Sequence, residues 1–277
     1  MDGKFETTPC PLCSEDDHVL KYNFAPYRVV QCTHCGLHYV SPRLTEEAML
    51  EFYRSGDYYG DDSEIGYSAY QQQEKSLRQT FRAVLRRLQK QGFTGGDLLE
   101  LGCGWGYFLD EATPYYRSRT GTDYSQVAVE KASASGAEVI KGGLAELHPD
   151  TLFDSIVLIQ VLEHIYDPVP FLETARTKLR PGGNITVVVP DWNTPFRWLL
   201  GKKWPAFKHP EHVCYYTNNT LGQALDRAGF TGSKTITYNH AFPLSMYLDL
   251  FGLKVPEWLG QVSVWIPFSC AARVAWT

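Results

Sequence analysis

The sequence predicts an α/β fold: a mostly parallel sheet with helices on both faces, preceded by a small thiolate-rich module. Three observations carry that prediction. Short apolar runs alternate with amphipathic helical patterns from about residue 75 onward, as in a sheet buried on both sides. The first run, Asp97-Leu-Leu-Glu-Leu101, ends in Gly102-Cys-Gly-Trp-Gly106, and a helical pattern starts at Tyr107. Glycines in such a strand–turn–helix let backbone approach a ligand closely, and the helix N-terminus favours anionic groups, so the turn suits a nucleotide-like cofactor. Two Cys-x-x-Cys pairs, Cys10/Cys13 and Cys32/Cys35, stand in front.

The chain has 277 residues, 44% hydrophobic and 14% aromatic, enough for one large domain plus a small one. Its formal net charge is −5 and its pI about 5.9. A protein whose main task is gripping nucleic acid carries a basic field, so nucleic acid is a disfavoured partner. Residues 1–18 are polar and acidic with no apolar signal core. No run reaches the ~18–20 apolar residues of a bilayer span. The reading is a cytoplasmic protein without a transmembrane segment.

Residues 1–41 carry the pattern C-x2-C-x18-C-x2-C, the spacing of a four-thiolate zinc site. Cys10, Cys13, Cys32 and Cys35 are the expected ligands, bound to metal rather than joined as disulfides. With every position filled by thiolate no catalytic water fits, so the zinc is structural and folds a segment too small for its own core. Val19–Tyr22 and Tyr27–Val30 read as the hairpin of a zinc ribbon. His18, His34 and His38 read as surface histidines. Lys4, Lys21 and Arg28 are outnumbered by Asp2, Glu6, Glu15, Asp16 and Asp17, a poor balance for a phosphate-binding face. Residues 42–74 join this module to the rest. They are rich in Tyr and broken by Gly56, Gly60 and Gly66. A linker and a cap over the cofactor site both fit.

Leu77, Phe81, Val84, Leu85 and Leu88 recur at three- and four-residue steps, predicting a helix from about residue 68 with Arg78, Arg82, Arg86 and Arg87 on a solvated face. Gly92 and Gly95-Gly96 stop it. Strand 97–101 and helix 107–116 follow. A second strand ends at Thr122-Asp123, and Ser125 caps helix 126–135. Strands 137–141 and 153–159 precede helix 168–179, a Pro181-Gly-Gly183 turn and strand 184–189. Helix 217–228, a strand at 234–238 and a closing strand at 269–276 complete the main domain, 75–277. Asp123 ends its strand where a carboxylate can accept both hydroxyls of a ribose; an acid there also favours a helix start.

Two stretches interrupt the alternation. Residues 190–216 hold Trp192, Phe196, Trp198, Trp204, Phe207, Tyr215 and Tyr216. They read as a lid over the carboxyl edge or as a solvated loop, and Arg197, Lys202, Lys203 and Lys208 suit an anionic substrate. Residues 241–268 are apolar, with Leu244, Met246, Phe251, Trp258, Leu259 and Trp265. Core packing and a homodimer interface are the first readings. A hydrophobic substrate channel is another, and the segment has little of the positive charge that membrane contact needs.

The loop departs from the dinucleotide pattern G-x-G-x-x-G because its third glycine comes one residue early. Glu100-x-Gly102-x-Gly104-x-Gly106, Gly121-Thr-Asp123, Phe153-Asp154, Gln160-Val-Leu-Glu163-His164 and Leu179-Arg-Pro-Gly-Gly183 together resemble the class I S-adenosylmethionine (SAM) methyltransferases over roughly 75–235. The resemblance is closest to the subgroup that includes ubiquinone-biosynthesis O-methyltransferases. The cysteine pairs resemble those preceding this domain in some bacterial methyltransferases, including sugar C-methyltransferases.

The resemblance implies a Rossmann-like fold with a seven-stranded, mostly parallel sheet, SAM as cofactor and a small-molecule acceptor such as a sugar, natural product or lipid precursor. It implies that Gly102, Gly104 and Gly106 line the methionine portion of SAM, with Glu100, Cys103, Tyr107 and Phe108 around the same loop. Asp123 would hold the ribose with Tyr124 beside it, and Leu144 and Ala145 would lie by the adenine. Gly143-Leu144 replaces an Asp common near this point, leaving recognition to backbone groups with Glu146 as helper. Gln160 would stand where cofactor and acceptor meet. Glu163, His164, His209 and His212 are the acid–base candidates, with His212 or His209 as general base; a structural role for both histidines is equally open. Some relatives hold a divalent metal with ExxEH. Here Gln160 stands at the first Glu and is a weaker ligand for a hard cation. Two rival functions remain: an RNA methyltransferase gripping RNA through its zinc ribbon, and a silent SAM- and zinc-binding assembly module.

Overall fold

Apolar strands without polar alternation need cover on both faces, and the chain supplies it. The computed structural model describes residues 3–54, 73–236, 238–249, 252–253, 262–267 and 270–277. The N-terminal module contains β1 (Phe5–Glu6), β2 (His18–Phe24), β3 (Tyr27–Cys32), β4 (His38–Val40), β5 (Arg43–Leu44) and α1 (Glu46–Arg54). The main domain runs α2 (Glu74–Lys90), β6 (Asp97–Leu101), α3 (Tyr107–Ala112), β7 (Ser118–Asp123), α4 (Gln126–Ser133), β8 (Glu138–Lys141), β9 (Phe153–Ile159), α5 (Pro168–Thr177) and β10 (Leu179–Pro190). It continues with α6 (Pro195–Leu200), β11 (Cys214–Tyr215), α7 (Asn218–Arg227), β12 (Gly232–Thr235), β13 (Asn239–Pro243), α8 (Leu244–Asp249), β14 (Ser263–Pro267) and β15 (Cys270–Trp276).

Seven strands form the main sheet in the order β12-β15-β10-β9-β6-β7-β8. Pairing is parallel from β10 through β8, while β15 lies antiparallel to both β10 and β12. The strand order reverses at β6, so the crevice beyond its carboxyl end is the natural ligand site. Leu98, Leu99, Ile156, Val157, Leu158, Val187 and Val188 are fully buried. One boundary differs from expectation. Pro181-Gly-Gly183 does not separate helix from strand but lies inside β10, as an irregularity in its pairing with β9 between Leu179 and Asn184. Gly182 at φ 77° accommodates it.

The arginines of α2 are also more engaged than a solvated face. Arg78 pairs with Glu74, Asp110 and Glu111, and Arg82 pairs with Glu111, tying α2 to the helix behind the glycine loop.

The predicted lid and the thiolate module form one unit. β11, from the end of the lid, joins the module's sheet in the order β11-β4-β3-β2, with Cys214 opposite Tyr39 and Tyr215 opposite His38. Trp192, Trp204 and Tyr215 are buried with Val29 and Val40 in a shared aromatic core. His38 is therefore not a surface histidine. It is 4% exposed and stacks on Trp192 at 3.8 Å between ring centroids.

Most of the joining segment, 55–72, lies outside the described residues, as do Phe251, Trp258 and Leu259 of the apolar segment. No described helix is long and apolar enough to cross a membrane.

Candidate active site

The carboxyl ends of β6 and β9 build one wall of a cavity of about 390 Å³, lined by Glu100, Gly102, Gly104 and Gln160. The glycine loop is held from below by Asp123. Its Oδ2 accepts the Gly104 N–H at 2.9 Å and its Oδ1 accepts the Ser125 N–H at 2.9 Å. Burial raises the Asp123 pKa and these two bonds pull it back. Glu100 is 4% exposed, and its Oε2 has no partner among the described residues. Burial first, then the Asp123 charge, pushes its pKa well above the ordinary range. Gly102 sits at φ 69°, and a Cβ there would lie 2.6 Å from Val161 Cγ2. Gln160 has the unusual positive φ of 57°, a strained backbone of the kind that clusters at working sites. Its N–H is fixed to the Val188 carbonyl.

The side chains of the other loop residues face elsewhere. A Cβ on Gly106 would lie 3.0 Å from the Ala132 backbone, so the close packing of α3 on α4 needs a glycine here. Cys103 is buried beneath Gly121, which has no room for a side chain against its Sγ. Phe108 meets Phe81 edge-on in the core. Tyr107 reaches Glu74 and lies under Arg78. On the flank beyond β7, the exposed Tyr124 covers Gly143. Leu144 turns into the core while Ala145 faces outward. Glu146 folds back to accept the Gly143 N–H at 2.7 Å.

The second wall of the same cavity carries His164, Lys208, Glu211, His212 and the apolar Phe196, Leu200 and Trp204. The His164 and His212 rings meet edge to face at 4.7 Å. The Nδ1 of His212 has no hydrogen-bond partner among the described residues. Burial, then the neighbouring His164 and Lys208, holds the His212 pKa well below its usual value. Burial lowers that of His164 to about 4. Glu163 is 1% exposed with neither oxygen partnered among the described residues; burial raises its pKa to about 8. One donor atom from each of Glu163, His164 and His212 lies within 4.8 Å of the others.

The thiolate module positions this wall. Val213 gives its carbonyl to the Val40 N–H and its N–H to the Glu163 carbonyl, both at 2.9 Å, so the residue after His212 is clamped between module and sheet. His209 sits outside the cavity lining. It stacks on Tyr27 at 5.3 Å and contacts the Tyr215 hydroxyl at 3.2 Å. The Sγ atoms of Cys10, Cys13, Cys32 and Cys35 lie within 4.8 Å of one another. Thiolates at the usual zinc distance stand about 3.8 Å apart in a tetrahedron, so the cluster fits that ion.

One lining residue, His240, was missed by sequence reasoning. Nothing in its neighbourhood carries a motif, and the segment around it reads only as apolar.

The fold and site define a methyltransferase-type cleft. A family model described as a methyltransferase domain matches residues 70–234, and the chain belongs to that family. It is 33% identical over 154 residues to a probable S-adenosylmethionine-dependent methyltransferase of Mycolicibacterium smegmatis, covering 54% of this chain and 58% of that one. It is 32% identical over 104 residues to the mitochondrial ubiquinone biosynthesis O-methyltransferase of Schizosaccharomyces pombe, covering 34% and 38%. The chain spans about half the length of the curated relatives it matches. Among solved structures, a SAM-dependent methyltransferase of Thermotoga maritima, a possible histamine N-methyltransferase, superposes with a TM-score of 0.54 at 18% identity, covering 73% of this chain and 90% of that one. At that identity the likeness is one of fold.

Proposed function

We propose that this chain is a SAM-dependent methyltransferase acting on a small-molecule acceptor. The observation that carries the reading is the single cavity that joins the glycine loop to the His164–His212 wall. SAM, when bound, supplies an electrophilic methyl group on a sulfonium. The remaining work falls to the protein. Asp123 has carboxylate lone pairs left for ribose hydroxyls, and the buried, unpartnered oxygen of Glu100 fits a cationic part of the cofactor. Gly102 and Gly104 let the backbone come close. Tyr124 and residues 143–145 flank the adenine side, and Gln160 separates cofactor from acceptor.

His212 is the base. Its ring is neutral near physiological pH, and Nδ1, unpartnered among the described residues, is the nitrogen assigned to take a proton from the acceptor. His164 buttresses it, and Lys208 draws acceptors with an acidic group. Phe196 and Trp204 exclude water, which strengthens these interactions. His209 is structural. Zinc on the four thiolates would crosslink the module that holds Val213, with no position left for chemistry.

The acidic balance of the chain argues against RNA as acceptor, and a free base in the cleft argues against a silent module. A second reading has one observation behind it: the spacing of Glu163, His164 and His212 also suits a divalent cation. Turnover lost on mild chelation and restored by Mg²⁺ would select that reading. The primary test is calorimetry with S-adenosylhomocysteine (SAH) on zinc-replete protein, followed by transfer of labelled methyl to a panel of small acceptors. Micromolar SAH binding and methyl transfer are expected. No SAH binding by a folded protein would sink the proposal.

A further inference from the structure

β13 contributes a third wall to the cavity through His240, Phe242 and, across the β13–β14 pair, Ile266. His240 is only 6% exposed, yet neither ring nitrogen has a hydrogen-bond partner among the described residues. Buried polar groups are almost always satisfied. Because His240 lines the cavity, a group that enters there is the partner available to one of these nitrogens. The ring is also held in place. It stacks on Phe242 at 4.0 Å and 12°, and Tyr238 meets it edge-on at 5.7 Å. The next residue, Ala241, donates its N–H to Thr80 Oγ1 at 2.9 Å, fastening the strand to α2.

The chemistry of the partner follows from the surroundings. Burial alone lowers the His240 pKa to about 4, with no charged neighbour contributing. The neutral ring offers one donor and one acceptor. Leu77, Phe81, Phe242 and Ile266 share the lining around it, so a charged group placed there would lose its water without a counter-ion. A hydroxyl both gives and takes a hydrogen bond and matches either tautomer.

We propose that His240 is an acceptor-recognition residue that reads a neutral hydroxyl on the apolar body of the acceptor, separate from the group that meets His212. This rests on the reading of the cavity as a methyl-acceptor site. It narrows the acceptor to an apolar molecule with at least two polar points, one at the base and one at β13.

The test uses phenol and its near-isostere toluene as probes on zinc-replete protein with SAH present. Phenol is expected to bind about tenfold tighter than toluene, and His240→Leu should shrink that preference to within about twofold. In protein labelled with ¹⁵N-histidine, phenol should move the ring-nitrogen resonances that are absent from the His240→Leu spectrum, and toluene should not. The melting temperature of His240→Leu should be unchanged or higher, because an unsatisfied buried ring is being removed. A phenol preference that survives the substitution, resonances that stay still, or a variant that melts several degrees lower would each overturn the inference. SAH failing to bind the wild type would instead bring down the methyltransferase reading on which it stands.

Discussion

The two halves of the cleft are built by different means. The wall proposed for the cofactor is mostly backbone: Gly102, Gly104 and the N–H groups that Asp123 receives, all on two consecutive strand ends. The acceptor wall is all side chain. His164 follows β9, Lys208 and His212 come from the lid, and His240 comes from β13. A backbone wall needs particular residue types at particular spacings, because glycine takes the close approach and the positive φ at least cost. A side-chain wall needs only that distant segments be brought together, and many residue types can serve. The first kind of site suits a constant ligand and the second a variable one.

The sharpest way to break this contrast is to damage one wall and measure the other. His212→Asn should lower kcat by about 10²–10⁴-fold, the range for loss of a general base, while SAH affinity stays within about twofold; steady-state kinetics and calorimetry read the two separately. An equal loss of both would show that the walls are not independent. Asp123→Ala should weaken SAH binding about 100-fold, or about 3 kcal/mol, because ribose acceptors and the anchor of the Gly104 loop vanish together.

Removing the metal probes the link between module and acceptor wall. Cys13→Ser should abolish stoichiometric zinc by metal analysis and reduce kcat about tenfold through the Val40–Val213–Glu163 clamp, with a smaller change in SAH affinity. SAH binding that falls more than kcat would place the module's influence on the other wall. Gly106→Ala should cost about 1–3 kcal/mol in stability, from a strained φ of 76° and a Cβ meeting Ala132. The surviving fold should bind SAH nearly as wild type does, because this glycine packs a helix.

A further prediction concerns the pH profile of stability. His164, His209 and His240 have folded pKa values near 4 against 6.5 ordinarily. The unfolded chain therefore takes up protons first. Their contribution is complete above pH 6.5 and is lost as pH falls toward 4. Glu163 acts with the opposite sign. Raised from 4.5 to about 8, it disfavours the folded state increasingly as pH climbs between those values. Thermal melts across pH should fall on the acid side, and Glu163→Gln should flatten the decline toward pH 8 while leaving the acid limb in place.

Some of this was legible beforehand. The strand at 97–101 and the hairpin around 19–30 stand where their residue patterns put them, and the four cysteines converge. These rest on local signals of alternation, turn residues and ligand spacing. The failures are equally specific. The Pro-Gly-Gly triplet resembles a turn but lies inside β10, because a neighbouring strand can hold an irregular segment in register. His38 is buried only because Trp192, far along the chain, lies on it.

By itself the sequence determined the main run of alternating strands and helices, the glycine loop after Leu101 and the four-cysteine cluster. Each follows from residues close in the chain, whose periodicity and conformational limits act before any tertiary contact forms. Tertiary structure alone decided that the 190–216 insertion lends a strand to the thiolate module, that His212 and not His209 lines the cavity, and that His240 joins it. These depend on which distant surfaces bury one another, and burial also sets the neutral state of each histidine.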